Sequence, residues 1–93
     1  GRRQGVLLVT MAAKKGMMWA HYYLGMMYGL GRGVPEDDVH GYAWLSIAAA
    51  QGFAGGKKGK EVLAKHMNPA QIAEAQKLSR ELWEKYVVPF QKE

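Results

Sequence analysis

Residues 24–38, LGMMYGLGRGVPEDD, crowd glycines at 25, 29, 31 and 33 ahead of a proline and three consecutive acids. Two readings compete: a loop that cradles phosphate, or the turn of a helical repeat. Phosphate loops follow a β-strand and open a helix, with backbone N–H groups aimed at the anion. Here the residues before the glycines are spaced as a helix instead. Ala20, Leu24, Met27 and Tyr28 fall at i, i+4, i+7 and i+8, one buried stripe, and no β-branched run precedes Gly31. The Gly-Lys-Ser/Thr ending of a P-loop is absent too. The glycines therefore end a helix. Gly31 and Gly33 stop it, Pro35 breaks the chain, and Asp37 or Asp38 caps the next helix near its positive end.

The helix over 18–30 carries a second stripe, Trp19, Tyr23, Met26 and Leu30, pointing elsewhere. Two apolar faces imply two neighbours. Gly25 and Gly29 lie between the stripes, where missing side chains let another backbone approach; that gain has to offset roughly 1 kcal/mol of helix propensity at each position.

Working outward, sliding the chain by 36 residues lays GVLLVTMAAKKG (5–16) on GYAWLSIAAAQG (41–52). Gly5 meets Gly41, Ala12 and Ala13 meet Ala48 and Ala49, and Gly16 meets Gly52. Leu8 faces Trp44, Val9 faces Leu45, Thr10 faces Ser46 and Met11 faces Ile47, so bulk and polarity agree where identity does not. A period in the mid-thirties suits a helix–turn–helix unit that stacks on its neighbours.

The remaining pattern is helical throughout. Residues 39–51 turn Gly41, Trp44, Leu45, Ala48 and Ala49 inward. In 56–67 the pattern persists at Val62, Leu63 and Met67, but Gly55, Gly56 and Gly59 weaken the start, which predicts a frayed first turn. The last helix opens with Asn68 as cap, Pro69 at N1 and Gln71 completing a capping box, with Met67 placed to staple to Ile72. Ile72, Ala75, Leu78, Ser79, Leu82 and Tyr86 make its inner face, and Pro89 stops it. The expected fold is all-α, with helices over 5–16, 18–30, 39–51, 56–67 and 69–87.

A chain of 93 residues, 48% of them hydrophobic, is sized for one small domain, and its 23% charged content without low-complexity tracts argues against disorder. Cysteine is absent, which excludes disulfides and thiolate metal sites and leaves the compartment, cytoplasmic or exported, open. No apolar run approaches the ~20 residues of a membrane-spanning helix. The basic start and short apolar run of GRRQGVLLVTMAA resemble a signal-peptide remnant, but the repeat register accounts for the same residues better. A net charge of +5 admits an acidic partner without demanding one.

Residues 20–54, AHYYLGMMYGLGRGVPEDDVHGYAWLSIAAAQGFA, resemble one full unit of the Sel-one-like repeat family, relatives of the tetratricopeptide repeats. The resemblance rests on Leu24-Gly25, Met27-Tyr28, Gly31-x-Gly33-Val34-Pro35, Asp37 and Ala48-Ala49-x-Gln51-Gly52. AAKKG (12–16) is similar to the tail of a preceding unit, and MNPAQIAEAQKLSRELW (67–83) to the closing helix of many bacterial members. The units implied are a tail at 5–16, a full repeat at 17–52, a partial repeat at 53–67 and a capping helix at 68–88. The resemblance implies an α-solenoid of antiparallel helix pairs, about two repeats with a C-terminal capping helix. The first helices of the pairs would line a concave surface, used as a non-catalytic scaffold or adaptor for a protein or peptide partner. A cysteine-rich branch of the family is linked to β-lactam binding and hydrolysis; its paired cysteines are missing here. Met18, where the family has a small alanine, and AGGKKGK (54–60), where it has an alanine-rich start, are departures that affect stacking of the second pair.

On such a scaffold, exposed aromatics of the first helices are the natural contacts, because rings offer large area at low entropic cost. Trp19, Tyr23 and Met26 are accordingly the partner-binding candidates. Their counterparts 36 residues on are Gly55, Gly59 and Val62, so an aromatic wall is expected to face a hollowed one. The same side chains equally suit packing against a preceding repeat or a second copy. Val6, Leu7, Leu8 and Val9 lack an antiparallel mate, which predicts a longer array or a homo-oligomer. His21, His40 and His66 share no face at i, i+4 spacing and give no metal site, and no cofactor is implied. Lys57, Lys58, Lys60 and Lys65 cluster, with Lys14 and Lys15 one unit earlier. Without arginine or interleaved aromatics they read as a solvated face rather than a nucleic-acid site. Glu36, Asp37 and Asp38 are consecutive at a turn, which suits capping better than acid–base chemistry.

Overall fold

The computed structural model describes residues 2–91. Five helices follow one another: α1 (Arg2–Lys14), α2 (Met18–Leu30), α3 (Asp38–Ala50), α4 (Ala54–Ala64) and α5 (Pro69–Tyr86), with a short 3-10 turn at Val88–Phe90. No strand occurs among the described residues.

The 36-residue period is a period of hydrogen bonds as well as of letters. After α1 the Met17 N–H donates to the Ala12 carbonyl at 3.2 Å and the Gly16 N–H to Ala13 at 3.1 Å; after α3 the Phe53 N–H donates to Ala48 at 3.0 Å and the Gly52 N–H to Ala49 at 2.9 Å. Both are Schellman ends. Each needs a left-handed residue, and Gly16 (φ 84°) and Gly52 (φ 95°) supply it. The turn after α2 closes in the same manner through Gly31 and the Arg32 N–H on Met27. Asp37, not Asp38, caps α3: its side chain accepts the His40 N–H.

α3 lies at the centre, packed against α2, α4 and α5. Gly41, Ala43, Trp44, Leu45, Ile47 and Ala48 are all buried, so the inward set gains Ala43 and Ile47 over the sequence expectation, while Ala49 is only half-buried. The added pair is explained by α5, which runs alongside α3 and covers that side with Leu78, Leu82 and Trp83. Trp44 is sandwiched between His21 of α2 (ring centroids 5.6 Å) and Tyr86 of α5 (5.9 Å). The chain end then returns to the first turn, where the Phe90 ring occupies the space that a side chain on Gly16 would need.

Two expectations are corrected. α1 starts earlier and stops earlier than 5–16, because Gly16 takes the left-handed conformation beyond its end. α4 is helical from Ala54 without a frayed turn and ends at Ala64. Its glycines cost propensity, but they let the helix sit directly on α3. A Cβ on Gly56 would lie 2.7 Å from both the Ala49 nitrogen and the Leu45 carbonyl oxygen. Close backbone contact replaces intrinsic preference as the reason the turn is helical. The capping box at Asn68 and Gln71 is present as expected, with bonds of 2.8 and 2.9 Å.

Candidate functional site

α2 and α4 pack side by side on α3 and leave a groove between them. Tyr28, Leu24 and Ala20 are taken up by the core, which turns the opposite stripe outward. Trp19 and Tyr23 are 47% and 53% exposed and meet edge to face with centroids 6.1 Å apart. Met26, also on this stripe, is half-buried in the groove. The three candidates thus share one open face, but the expected wall-against-hollow pairing differs in detail. Gly55 lies against Tyr22, whose ring stacks on Phe53 at 4.7 Å, and Trp19 stays outside the groove.

The hollow itself is real and sits at Gly59. Gly59 holds the register position of Tyr23, and where its side chain is missing the buried Leu45 of α3 forms the floor. Gly29 likewise leaves room for Leu63. Met26 and Leu30 wall the slot from α2 and Val62 from α4, giving an apolar space of about 130 Å³. Beside it, Tyr23, Met26 and Leu30 continue into a depression bordered by Arg32.

The residues singled out on α1 divide. Leu7 and Leu8 are exposed together with Met11, whereas Val6 and Val9 are half-buried and Val9 packs on the core. Leu8 is 67% exposed although its register partner Trp44 is 5% exposed.

The residue that sequence reasoning missed is His21. Its side chain is fully buried; Nε2 lies 2.8 Å from the Ala13 carbonyl at the end of α1, and Nδ1 lies 2.9 Å from Nε2 of Gln51 at the end of α3. Gln51 Nε2 also donates to the Ile47 carbonyl at 2.9 Å. The network suits a neutral imidazole, donating from Nε2 and accepting at Nδ1. Burial holds the pKa below its ordinary value, outweighing the bond to Ala13, which acts the other way. His21 falls three before Leu24 and seven before Tyr28, on the core face, and that spacing was the available signal. His40 is instead a turn residue. Its ring Nδ1 is 2.8 Å from Asp37 Oδ2. Partial burial pushes the Asp37 carboxyl up, but the bonds from the His40 amide and ring and from the Val39 amide, with the His40 charge, bring it below its usual value.

Among the described residues no group of three or more His, Asp or Glu side chains could hold a metal, and no helix is long and apolar enough to cross a membrane.

The fold and its repeated turn define the class: an α-helical repeat protein of stacked helix pairs. Residues 20–53 match the Sel1 repeat family. It is similar to c5321, a protective antigen of uropathogenic Escherichia coli whose crystal structure displays an SLR fold, with a TM-score of 0.91 and 27% identity. That likeness covers 97% of this chain and 20% of the other, so the chain spans about a fifth of the length of that protein. No curated protein matches the chain in sequence.

Proposed function

We propose that the chain is a non-catalytic protein-interaction module whose partner, a protein or peptide, lies along the groove between α2 and α4. The observation that supports this is the exposed Trp19–Tyr23 pair beside an apolar slot, on a helix without a single acidic residue. Solvent-facing aromatics fixed by their own helix present area already ordered, which is what binding anchors require. Sel1 repeats generally mediate protein interactions, in keeping with this reading. The test is selection of a displayed random linear peptide library on the immobilised chain, followed by fluorescence anisotropy of the enriched peptides. Trp19→Ala and Tyr23→Ala are each expected to weaken binding by roughly 1–2 kcal/mol. Peptides that bind both variants as they bind the parent would refute the assignment.

The exposed Leu7, Leu8 and Met11 of α1 form a second surface, which we assign to association with a further copy of the chain.

A further inference from the structure

We propose that the slot between α2 and α4 takes one bulky aliphatic side chain of an acidic peptide segment in the protein partner; this rests on the reading of the groove as a peptide site. The size argues for a single side chain. A space of about 130 Å³ falls well below the ~300–1,000 Å³ of sites that enclose small molecules. Its chemistry argues for an aliphatic one. Leu45 and Leu63 beneath, Met26 and Leu30 on one side and Val62 on the other offer no polar side-chain group to a ligand. Buried polar atoms of an occupant would go unpaired there. The slot also departs from the repeat's own pattern: Tyr23 stands at this position in the preceding unit, whereas Gly59 leaves it vacant.

The surrounding charge argues for acids on either side of the anchor. Residues 18–33 and 54–66, the two groove helices with the turns after them, hold Arg32, Lys57, Lys58, Lys60 and Lys65 against the single acid Glu61. α5, by contrast, balances three acids with three bases. Lys60 is turned away, over the Tyr42 ring at 5.7 Å. Lys58 and Lys65 stand four before and three after Val62, which places both, exposed, on the slot's side of α4 and its C-terminal end, and Arg32 borders the adjoining depression. Carboxylates beside an inserted Leu, Ile or Met would meet these cations while the anchor is covered.

The enriched peptides decide it. Each is expected to carry one bulky aliphatic residue with Asp or Glu close on both sides. Replacing that residue by Ala should weaken binding to the parent chain at least about tenfold. Lys58→Glu with Lys65→Glu should weaken it to a similar degree and remove most of the loss seen between about 50 and 200 mM salt. Val62→Glu, at a half-exposed position on the slot's wall, should abolish binding while the melting curve shifts by no more than a few degrees. Peptides that lack the anchor, that are basic, or that bind the Val62→Glu chain normally would overturn the proposal. If such peptides still depend on Trp19 and Tyr23, the groove reading stands and the slot reading falls; if no peptide is enriched, both fall.

Discussion

Alanine placed at two glycines of the same helix, three residues apart, should move stability in different directions. Either substitution in α4 gains about 1 kcal/mol of helix propensity. At Gly56 the new Cβ would sit 2.7 Å from the Ala49 nitrogen and 2.7 Å from the Leu45 carbonyl oxygen, both backbone atoms of α3. Relief requires the two helices to separate, an overpacking cost of roughly 1–3 kcal/mol whose upper part applies when backbone must move. Gly56→Ala is therefore expected to be destabilising by about 1–2 kcal/mol net. At Gly59 the Cβ would lie 3.0 and 3.3 Å from the two terminal methyls of Leu45. Those methyls yield by a small side-chain rotation costing under about 1 kcal/mol, so Gly59→Ala comes out neutral to about 0.5 kcal/mol stabilising. Thermal unfolding followed by far-ultraviolet circular dichroism separates the two. For a domain of this size each kcal/mol moves Tm by about 4–8 °C, so the variants should melt on the order of 10 °C apart. Equal Tm shifts, or a more stable Gly56→Ala, would show that α4 does not rest on α3 through this glycine.

The His21 network makes stability acid-sensitive. Its folded pKa is below the unfolded value of about 6.5, so the unfolded chain binds more protons; the contribution is complete above that pH and is lost as pH falls through about 6.5 towards the folded value. Urea unfolding at about pH 7.5 and pH 5.5 should show the decline, and His21→Leu should lower stability at the higher pH by about 1–3 kcal/mol while flattening the slope. Asp37 adds a decline at more acid pH: its folded pKa is below the usual carboxylate value of 3.8, and its contribution is lost as pH drops from there through the folded value. Asn68→Ala removes a cap at the start of α5 and should cost about 1 kcal/mol, with the loss reduced in Asn68→Ser. Sedimentation equilibrium over a wide concentration range is expected to show association that Leu8→Glu abolishes at unchanged helicity; a monomeric parent chain would rule out α1 as a self-association face.

What could be read from the order of residues was what depends on neighbours in the chain. The helix end at Gly31 and the Asp37 and Asn68 caps each rest on contacts within about one turn, and all are present. The stripe of Trp19, Tyr23 and Met26 was legible because helical spacing divides α2 into a core face and its opposite. Other features were decided between elements far apart in sequence. Gly56 and Gly59 look like helix breakers until α3 lies against them, and Gly55 until Tyr22 of α2 does. His21 looks idle until Ala13 and Gln51, ends of two other helices, arrive on either side of its ring. The slot at Gly59 is visible only once Leu45, Met26 and Val62 surround it. Spacing along a chain specifies hydrogen bonds that span a turn, whereas a cavity or a buried imidazole takes its properties from atoms that only packing brings within reach.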